Sequence, residues 1–221
     1  VSDRRSRPLL DGLYAVTPDT PDSGWLLPRV AAVLAGGARL VQYRSKSGDG
    51  SLRREQAAAI QALCRAHGAL FIVNDDVELA GWLGADGVHV GQGDVSVARA
   101  RRRLGPAAIV GATCHDRLRL AQDAAADGAD YVAFGAVFAS PTKPDTVSAP
   151  LSLFADPARP ALPAAAIGGI CAANAGPVWR AGADMLAVIG GLFDAADPAA
   201  AARAIVAARG AATPCRPEKT A

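Results

Sequence analysis

The chain has 221 residues, half of them hydrophobic (51%), enough to build one large core. Charged residues make up 20% and the net charge is +2, and aromatics reach only 5%. That balance gives no electrostatic or stacking basis for a nucleic-acid partner or a polybasic membrane anchor. The longest uncharged run, from Pro160 to Trp179, carries three prolines and three glycines and cannot form one lipid-facing helix. The opening VSDRRSRP reads as a basic tail over residues 1–10 rather than a signal peptide. Cys64, Cys114, Cys171 and Cys215 are far apart and form no CxxC pair, so a reduced, cytoplasmic protein is expected.

Eight short apolar runs follow in order: Leu13–Val16, Leu40–Tyr43, Leu70–Val73, Gly87–Val90, Ala108–Gly111, Tyr131–Phe134, Ala164–Ile167 and Leu186–Ile189. They are too short for helices and do not alternate strictly, as suits parallel strands buried on both faces. Helical stretches lie between most of them: Arg53–His67, Val97–Leu104, Leu118–Ala126 and Ala199–Ala208. The Pro-rich stretch after the sixth run is a weaker helix candidate. A sub-pattern recurs at Gly37-Ala38-Arg39, Gly84-Ala85-Asp86, Gly128-Ala129-Asp130 and Gly182-Ala183-Asp184, each reading helix end, turn, strand. It falls on every second strand. The expectation is an α/β protein with a single (β/α)8 TIM barrel over residues 11–209, followed by a disordered tail from 210. A doubly wound open sheet is the alternative, but no GxGxxG or GxxxxGK[ST] fingerprint occurs.

A barrel places its chemistry just after the strands. After the second run, alternation points Gln42, Arg44 and Lys46 one way, which suits an anionic ligand such as a diphosphate; a strand end with Lys46 in water is the plain alternative. Asn74-Asp75-Asp76 follows the third run and Gly91-Gln92-Gly93-Asp94 the fourth. Asp75 and Asp94 can therefore face one point, as suits Mg²⁺; the alternative is that Asp75 or Asp76 caps the next helix and Asp94 the helix beginning near Val95. Thr113-Cys114-His115 follows the fifth run. Thr113 can bond a ligand, Cys114 has no evident activator, and His115-Asp116 reads as a helix start. After the sixth run, Ser140, Thr142 and Lys143 lie in a long loop, either a substrate-closing segment or a connector. Gly168-Gly169 and Gly190-Gly191 end the last two runs, where barrels bind phosphate on backbone N–H groups or simply turn tightly. His67, His89, Trp25, Trp82 and Trp179 read as structural. The total is a cationic, carboxylate-flanked anion site and a separate glycine phosphate site, which implies small-molecule phosphorylated substrates, two of them or one long one.

The motifs LYAVT, VQYRSK, NDDVELA, GADGVHVGQGD, GADYVAFGAVFASPTKPD and AAIGGI, in collinear order to about Asp194, resemble the thiamine-phosphate synthase family. The resemblance implies a transferase that joins a hydroxymethylpyrimidine diphosphate to a thiazole phosphate and releases diphosphate. It implies that Gln42, Tyr43, Arg44, Ser45, Lys46, Asn74, Thr113 and Lys143 bind the pyrimidine diphosphate, with Arg44, Lys46 and Lys143 catalytic. It implies that Asp75 and Asp94 hold Mg²⁺, and that Ser140, Pro141, Thr142, Gly169, Ile189 and Gly190 bind the thiazole phosphate. Thr113 stands where the family usually has Ser, Ser140 replaces the commoner Thr, and Gly190 lacks the family's Ser hydroxyl. Rival readings are a thiazole tautomerase, which would want a His in the SPTK loop, a non-catalytic precursor-binding protein, and an isomerase or aldolase barrel with a carboxylate or Schiff-base lysine inside a strand. A homo-oligomer is compatible with all of these.

Overall fold

Eight parallel strands close into one barrel in the order β1 to β8, with β1 hydrogen-bonded to β8. The computed structural model describes residues 10–138 and 148–210. The strands are β1 Gly12–Val16, β2 Ala38–Tyr43, β3 Leu70–Asn74, β4 Gly87–Val90, β5 Ile109–His115, β6 Tyr131–Gly135, β7 Ala164–Ile167 and β8 Met185–Val188. The helices are α1 Ser23–Ala35, α2 Gly50–His67, α3 Val77–Leu83, α4 Val97–Leu104, α5 Leu118–Ala126, α6 Ala175–Arg180, α7 Gly190–Phe193 and α8 Pro198–Gly210. Closure rules out the open doubly wound sheet. After β6 the Pro-rich stretch supplies only a 3₁₀ turn, Leu151–Ala155, among the described residues. Residues 139–147 and both tails, 1–9 and 211–221, lie outside the described residues. No helix among the described residues is long and apolar enough to cross a membrane.

Two apolar layers follow from the alternation along each strand. Inside the barrel pack Tyr14, Val16, Leu40, Ile72, Ile109, Tyr131, Ala133, Ala165, Met185 and Ala187. The larger layer lies between strands and helices and includes Leu13, Val41, Phe71, Val88, Val110, Phe134 and Leu186. The interior is filled unevenly. The Tyr131 ring spans toward β5 and occupies the space a side chain at Gly111 would need, because a Cβ there would sit 2.0 Å from the tyrosine Cζ. Gly111 is thus a glycine for volume rather than for backbone freedom.

The recurring Gly-Ala-Asp has a structural reason. Its glycines, Gly84, Gly128 and Gly182, all take positive φ at the helix-to-strand turn. Its aspartates clasp the strand entrances. The Asp86 carboxylate accepts the Phe71 N–H of β3 at 2.8 Å, and its carbonyl accepts the Ile109 N–H of β5 at 2.8 Å. Asp130 accepts the Val110 N–H at 2.9 Å and pairs with Arg101. Asp184 accepts the Ala164 N–H of β7 at 2.8 Å, and its carbonyl takes the Gly12 N–H of β1 at 2.9 Å, across the closure. The first copy has Arg39 instead, and the β1–β2 ladder there carries an irregularity between Leu13 and Tyr14.

Three local expectations differ from the structure. β5 runs on to His115, so Thr113 and Cys114 lie within the strand rather than in a loop. His115, at φ 51, turns the chain out of the sheet and caps nothing; Arg117 precedes α5 with no side-chain cap. Trp82, read as packing, is 65% exposed on α3, whereas Trp179 is buried against α8. Replacing Asp130 with Ala leaves the Val110 amide without its acceptor and Arg101 without its carboxylate. Urea unfolding should show a loss of about 3 kcal/mol, the scale of breaking a buried ion pair.

Candidate active site

The C-terminal ends of β2, β3, β4 and β5 bring most of the expected polar residues to one side of the barrel mouth. Gln42, interior on β2, is buried, and its amide donates to Tyr14 Oη at 2.7 Å. Arg44 and Lys46 follow in the loop after β2, Arg44 half-buried and Lys46 exposed. Thr17, fully buried at the end of β1, fixes that loop. Its hydroxyl accepts the Arg44 N–H at 2.9 Å and donates to the Arg44 carbonyl at 3.3 Å. Asp19 then accepts the Lys46 N–H at 2.9 Å. Motif reading of individual residues does not find Thr17, because its role exists only through a residue 27 positions away.

Tyr43 departs from its expected place in the substrate set. It alternates outward, is buried in the helix-facing layer, and donates its hydroxyl to Gln56 Oε1 at 2.9 Å on α2. Its side chain therefore braces the strand from behind. Ser45 stays in the loop, half-buried, with its hydroxyl accepting the Ser47 N–H at 3.2 Å.

Of the two neighbouring aspartates after β3, one caps and one faces the mouth. Asp76 is the N-cap of α3, accepting the Leu79 N–H at 2.8 Å, and it pairs with Arg53. Asp75 takes φ 61, a conformation that costs an L-residue energy but that Asp tolerates better than most. Its backbone is held there by its N–H to the His89 carbonyl at 2.8 Å, and Asn74 Nδ2 donates to its Oδ2 at 2.5 Å. Asp94, exposed after β4, accepts the Gly91 N–H at 3.1 Å; Ser96, not Asp94, caps α4. Burial, and then the Asp94 carboxylate beside it, push the Asp75 carboxyl above the usual range, while Asn74 and the Arg44 cation pull it back. The two acids are thus close enough to repel.

Beneath them, His89 is buried on β4. Its Nδ1 lies 2.9 Å from Tyr131 Oη and its Nε2 2.9 Å from Thr113 Oγ1. Burial pushes its pKa down to about 4. Thr113 is half-buried and points inward toward the mouth, while Cys114 points to the outer layer, where burial raises its thiol to about 12. A nucleophilic role for Cys114 has no support in that environment.

The last two strands supply the glycine turns. Gly168 and Gly169 have φ 106 and 63. A Cβ on Gly168 would meet the Ala136 Cβ at 2.4 Å, so the loops after β6 and β7 lie directly on one another. The Gly169 carbonyl accepts Asn174 Nδ2 at 2.8 Å. Ile189 packs against the barrel interior and precedes α7, whose first-turn amides at Gly190 and Gly191 have no acceptor within the helix. A Cβ on Gly190 would lie 2.7 Å from Asp194 Oδ2, so a serine there would displace that carboxylate. Ser140, Pro141, Thr142 and Lys143 lie outside the described residues.

A closed eight-stranded barrel with cations and paired carboxylates at its mouth defines the class, a TIM-barrel enzyme. The family profile described as thiamine monophosphate synthase matches residues 13–192. The thiamine-phosphate synthase of Chromobacterium violaceum is 64% identical over 198 residues, covering 90% of this chain and 96% of that protein. That of Thioalkalivibrio sulfidiphilus is 60% identical over 201 residues, covering 90% and 95%. The solved thiamine phosphate pyrophosphorylase of Pyrococcus furiosus superposes with a TM-score of 0.81 at 31% identity, covering 91% of this chain and 96% of that one. A 3-hexulose-6-phosphate synthase structure shares the fold alone, with a TM-score of 0.65 at 23% identity over 90% of this chain and 99% of that one. The chain belongs to the thiamine monophosphate synthase family, a family of transferases in thiamine biosynthesis.

Two stability measurements test this electrostatic picture. Asp75→Asn removes one of two repelling charges and keeps a side chain suited to positive φ, so in EDTA its Tm should rise by about 1–3 °C, the scale of a screened pair. His89 has a folded pKa below its unfolded one, so its contribution is complete above about pH 6.5 and is lost as pH falls toward 4. Unfolding free energy should drop by about 3 kcal/mol across that window in the wild type, and this part of the drop should vanish in His89→Gln.

Proposed function

We propose that the protein couples 4-amino-2-methyl-5-hydroxymethylpyrimidine diphosphate to 4-methyl-5-(2-phosphoethyl)thiazole, or its carboxylate, and releases thiamine phosphate and diphosphate, with CO2 as a third product where the carboxylate is used. The observation that carries this reading is the convergence of Arg44, Asn74, Asp75 and Asp94 on the ends of three adjacent strands. A diphosphate offers negative charge to Arg44 and Lys46, and oxygens that a metal held by the carboxylates would share.

The donor set suits Mg²⁺. Asp75 and Asp94 are hard oxygen ligands on neighbouring strand ends, and their mutual repulsion is what a divalent cation relieves. Among the described residues no group of three or more acidic, His or Cys side chains is arranged to hold a metal. Asp75 and Asp94 would hold the ion, and water and the substrate's own phosphates would complete its ligands, the usual habit of Mg²⁺. When bound, the ion supplies charge neutralisation to the diphosphate.

The chemistry is dissociative. The bond between the pyrimidine methylene carbon and the diphosphate oxygen breaks, its electron pair leaving with diphosphate. The amino group on the ring shares the positive charge left on carbon. The thiazole nitrogen then donates its lone pair to that carbon. No proton need be removed, so the site needs no general base. Arg44, held by Thr17, meets the departing charge, with Lys46 and Lys143 as further cations. Gln42 orients the pyrimidine. Gly169, Gly190 and the Ser140, Pro141, Thr142 loop hold the thiazole phosphate, largely through backbone N–H groups at Gly190.

The test is a coupling assay with both substrates, with and without Mg²⁺, that reads thiamine phosphate and diphosphate. Formation of both, dependent on Mg²⁺, is the expected result; folded protein that forms neither refutes the assignment. Arg44→Ala and Lys143→Ala should each lower kcat by about 100-fold with the fold retained, the scale of losing one preorganised charge contact. Wild-type turnover in either variant removes that residue from the mechanism. Asp75→Asn should require far more Mg²⁺, and an unchanged Mg²⁺ titration removes Asp75 from the metal site.

A further inference from the structure

Five side chains from five strands form one hydrogen-bonded line through the barrel interior. Gln42 Nε2 donates to Tyr14 Oη at 2.7 Å, and Tyr14 Oη lies 2.7 Å from Tyr131 Oη. Tyr131 Oη is 2.9 Å from His89 Nδ1, and His89 Nε2 is 2.9 Å from Thr113 Oγ1. The first four residues are buried, and only Thr113 reaches the half-open mouth. The His89 and Tyr131 rings also stack, with centroids 5.4 Å apart.

Counting protons gives the line a direction. Gln42 gives an N–H to Tyr14, so the Tyr14 hydroxyl accepts there and spends its own proton on Tyr131. Tyr131 then spends its proton on His89 Nδ1. A neutral imidazole carries a single N–H, so with Nδ1 accepting, that proton sits on Nε2 and is donated to Thr113. The ring is buried and both of its nitrogens face hydroxyl groups rather than a carboxylate, the surroundings of a neutral imidazole. Thr113 Oγ1 therefore accepts from below and keeps its own proton for a partner above.

We propose that His89 is a positioning residue that fixes the direction of this line, so that the Thr113 hydroxyl, which the family resemblance already assigns to the diphosphate, can only donate a hydrogen bond to an anionic oxygen of that leaving group. The inference rests on the diphosphate reading above and deepens it. No proton changes owner. As negative charge gathers on the departing diphosphate, the bond from Thr113 strengthens and each bond behind it polarises in turn. The side-chain line thus supplies a dipole aimed at the leaving group without placing a second full charge in the barrel.

The test has a spectroscopic arm and a kinetic arm. The chain has three histidines, so ¹⁵N-histidine spectra assigned by His89→Gln isolate the His89 signals. At pH 7.5 the expected result is a single Nε2–H tautomer. Tyr131→Phe keeps the ring but removes the donor to Nδ1, and should turn that signal into a tautomer mixture. An Nδ1–H tautomer in the wild type overturns the direction of the line. In the coupling assay, Thr113→Val and His89→Leu should lose about tenfold in kcat with a smaller change in KM, as for one hydrogen bond to a charged group. His89→Gln, which retains an N–H near the Nε2 position, should stay within about threefold of wild type. Undiminished kcat in Thr113→Val, or His89→Gln falling as far as His89→Leu, overturns the proposal. Should His89→Leu fail to fold, Thr113→Val and the tautomer spectrum still decide it. A wild type that does not couple the substrates refutes the proposed reaction while leaving the tautomer result intact; a wild type that turns over with the wrong tautomer refutes this inference alone.

Discussion

A closed barrel has an inside, and that inside must be filled without stranding a polar group. Here the largest side chains inside are two tyrosines, Tyr14 and Tyr131, their rings meeting edge to face at 6.0 Å. Each brings a hydroxyl that burial forbids to ionise and that must still find partners. Much else follows from that demand. Gly111 is small because the Tyr131 ring takes its place. Gln42 and His89 are polar because the hydroxyls need neighbours. Thr113 is reached because His89 has a second nitrogen to satisfy. Packing inside the barrel and polarity at its mouth are one connected problem.

The carboxylates above that core show the opposite economy. Asp75 sits at positive φ beside another acid, a conformation and a charge pairing that each cost energy. The structure tolerates it because the neighbouring strand grips the Asp75 amide through the His89 carbonyl. His89 thus serves the site twice, with its ring below the mouth and its backbone at the rim.

The fold was legible because parallel strands buried on both faces leave short, unbroken apolar runs, and all eight were visible as such. Helices α4 and α5 were legible to the residue from their periodicity. The end of β5 was not, since Thr113, Cys114 and His115 look like loop residues until alternation inside a sheet gives each a different environment. Tyr43 was misplaced for a related reason: a motif names neighbours in sequence, but a strand sends neighbours to opposite faces. Thr17 and the Gln42–Thr113 line were beyond reach of motif reading because their partners lie on other strands. The aspartates of the Gly-Ala-Asp repeat were seen, yet their bonding to adjacent strands needed the register.

Those aspartates divide the labour of the molecule. Asp86, Asp130 and Asp184 secure the strand entrances, at the end of the barrel away from the loops that follow the strands. Assembly of the sheet is therefore anchored at one rim, while the cations and paired carboxylates stand at the other. Such a separation lets the loops at the mouth be shortened, exchanged or rebuilt while the opposite rim goes on specifying strand order. The base of this barrel is, in effect, a reusable chassis for new active sites.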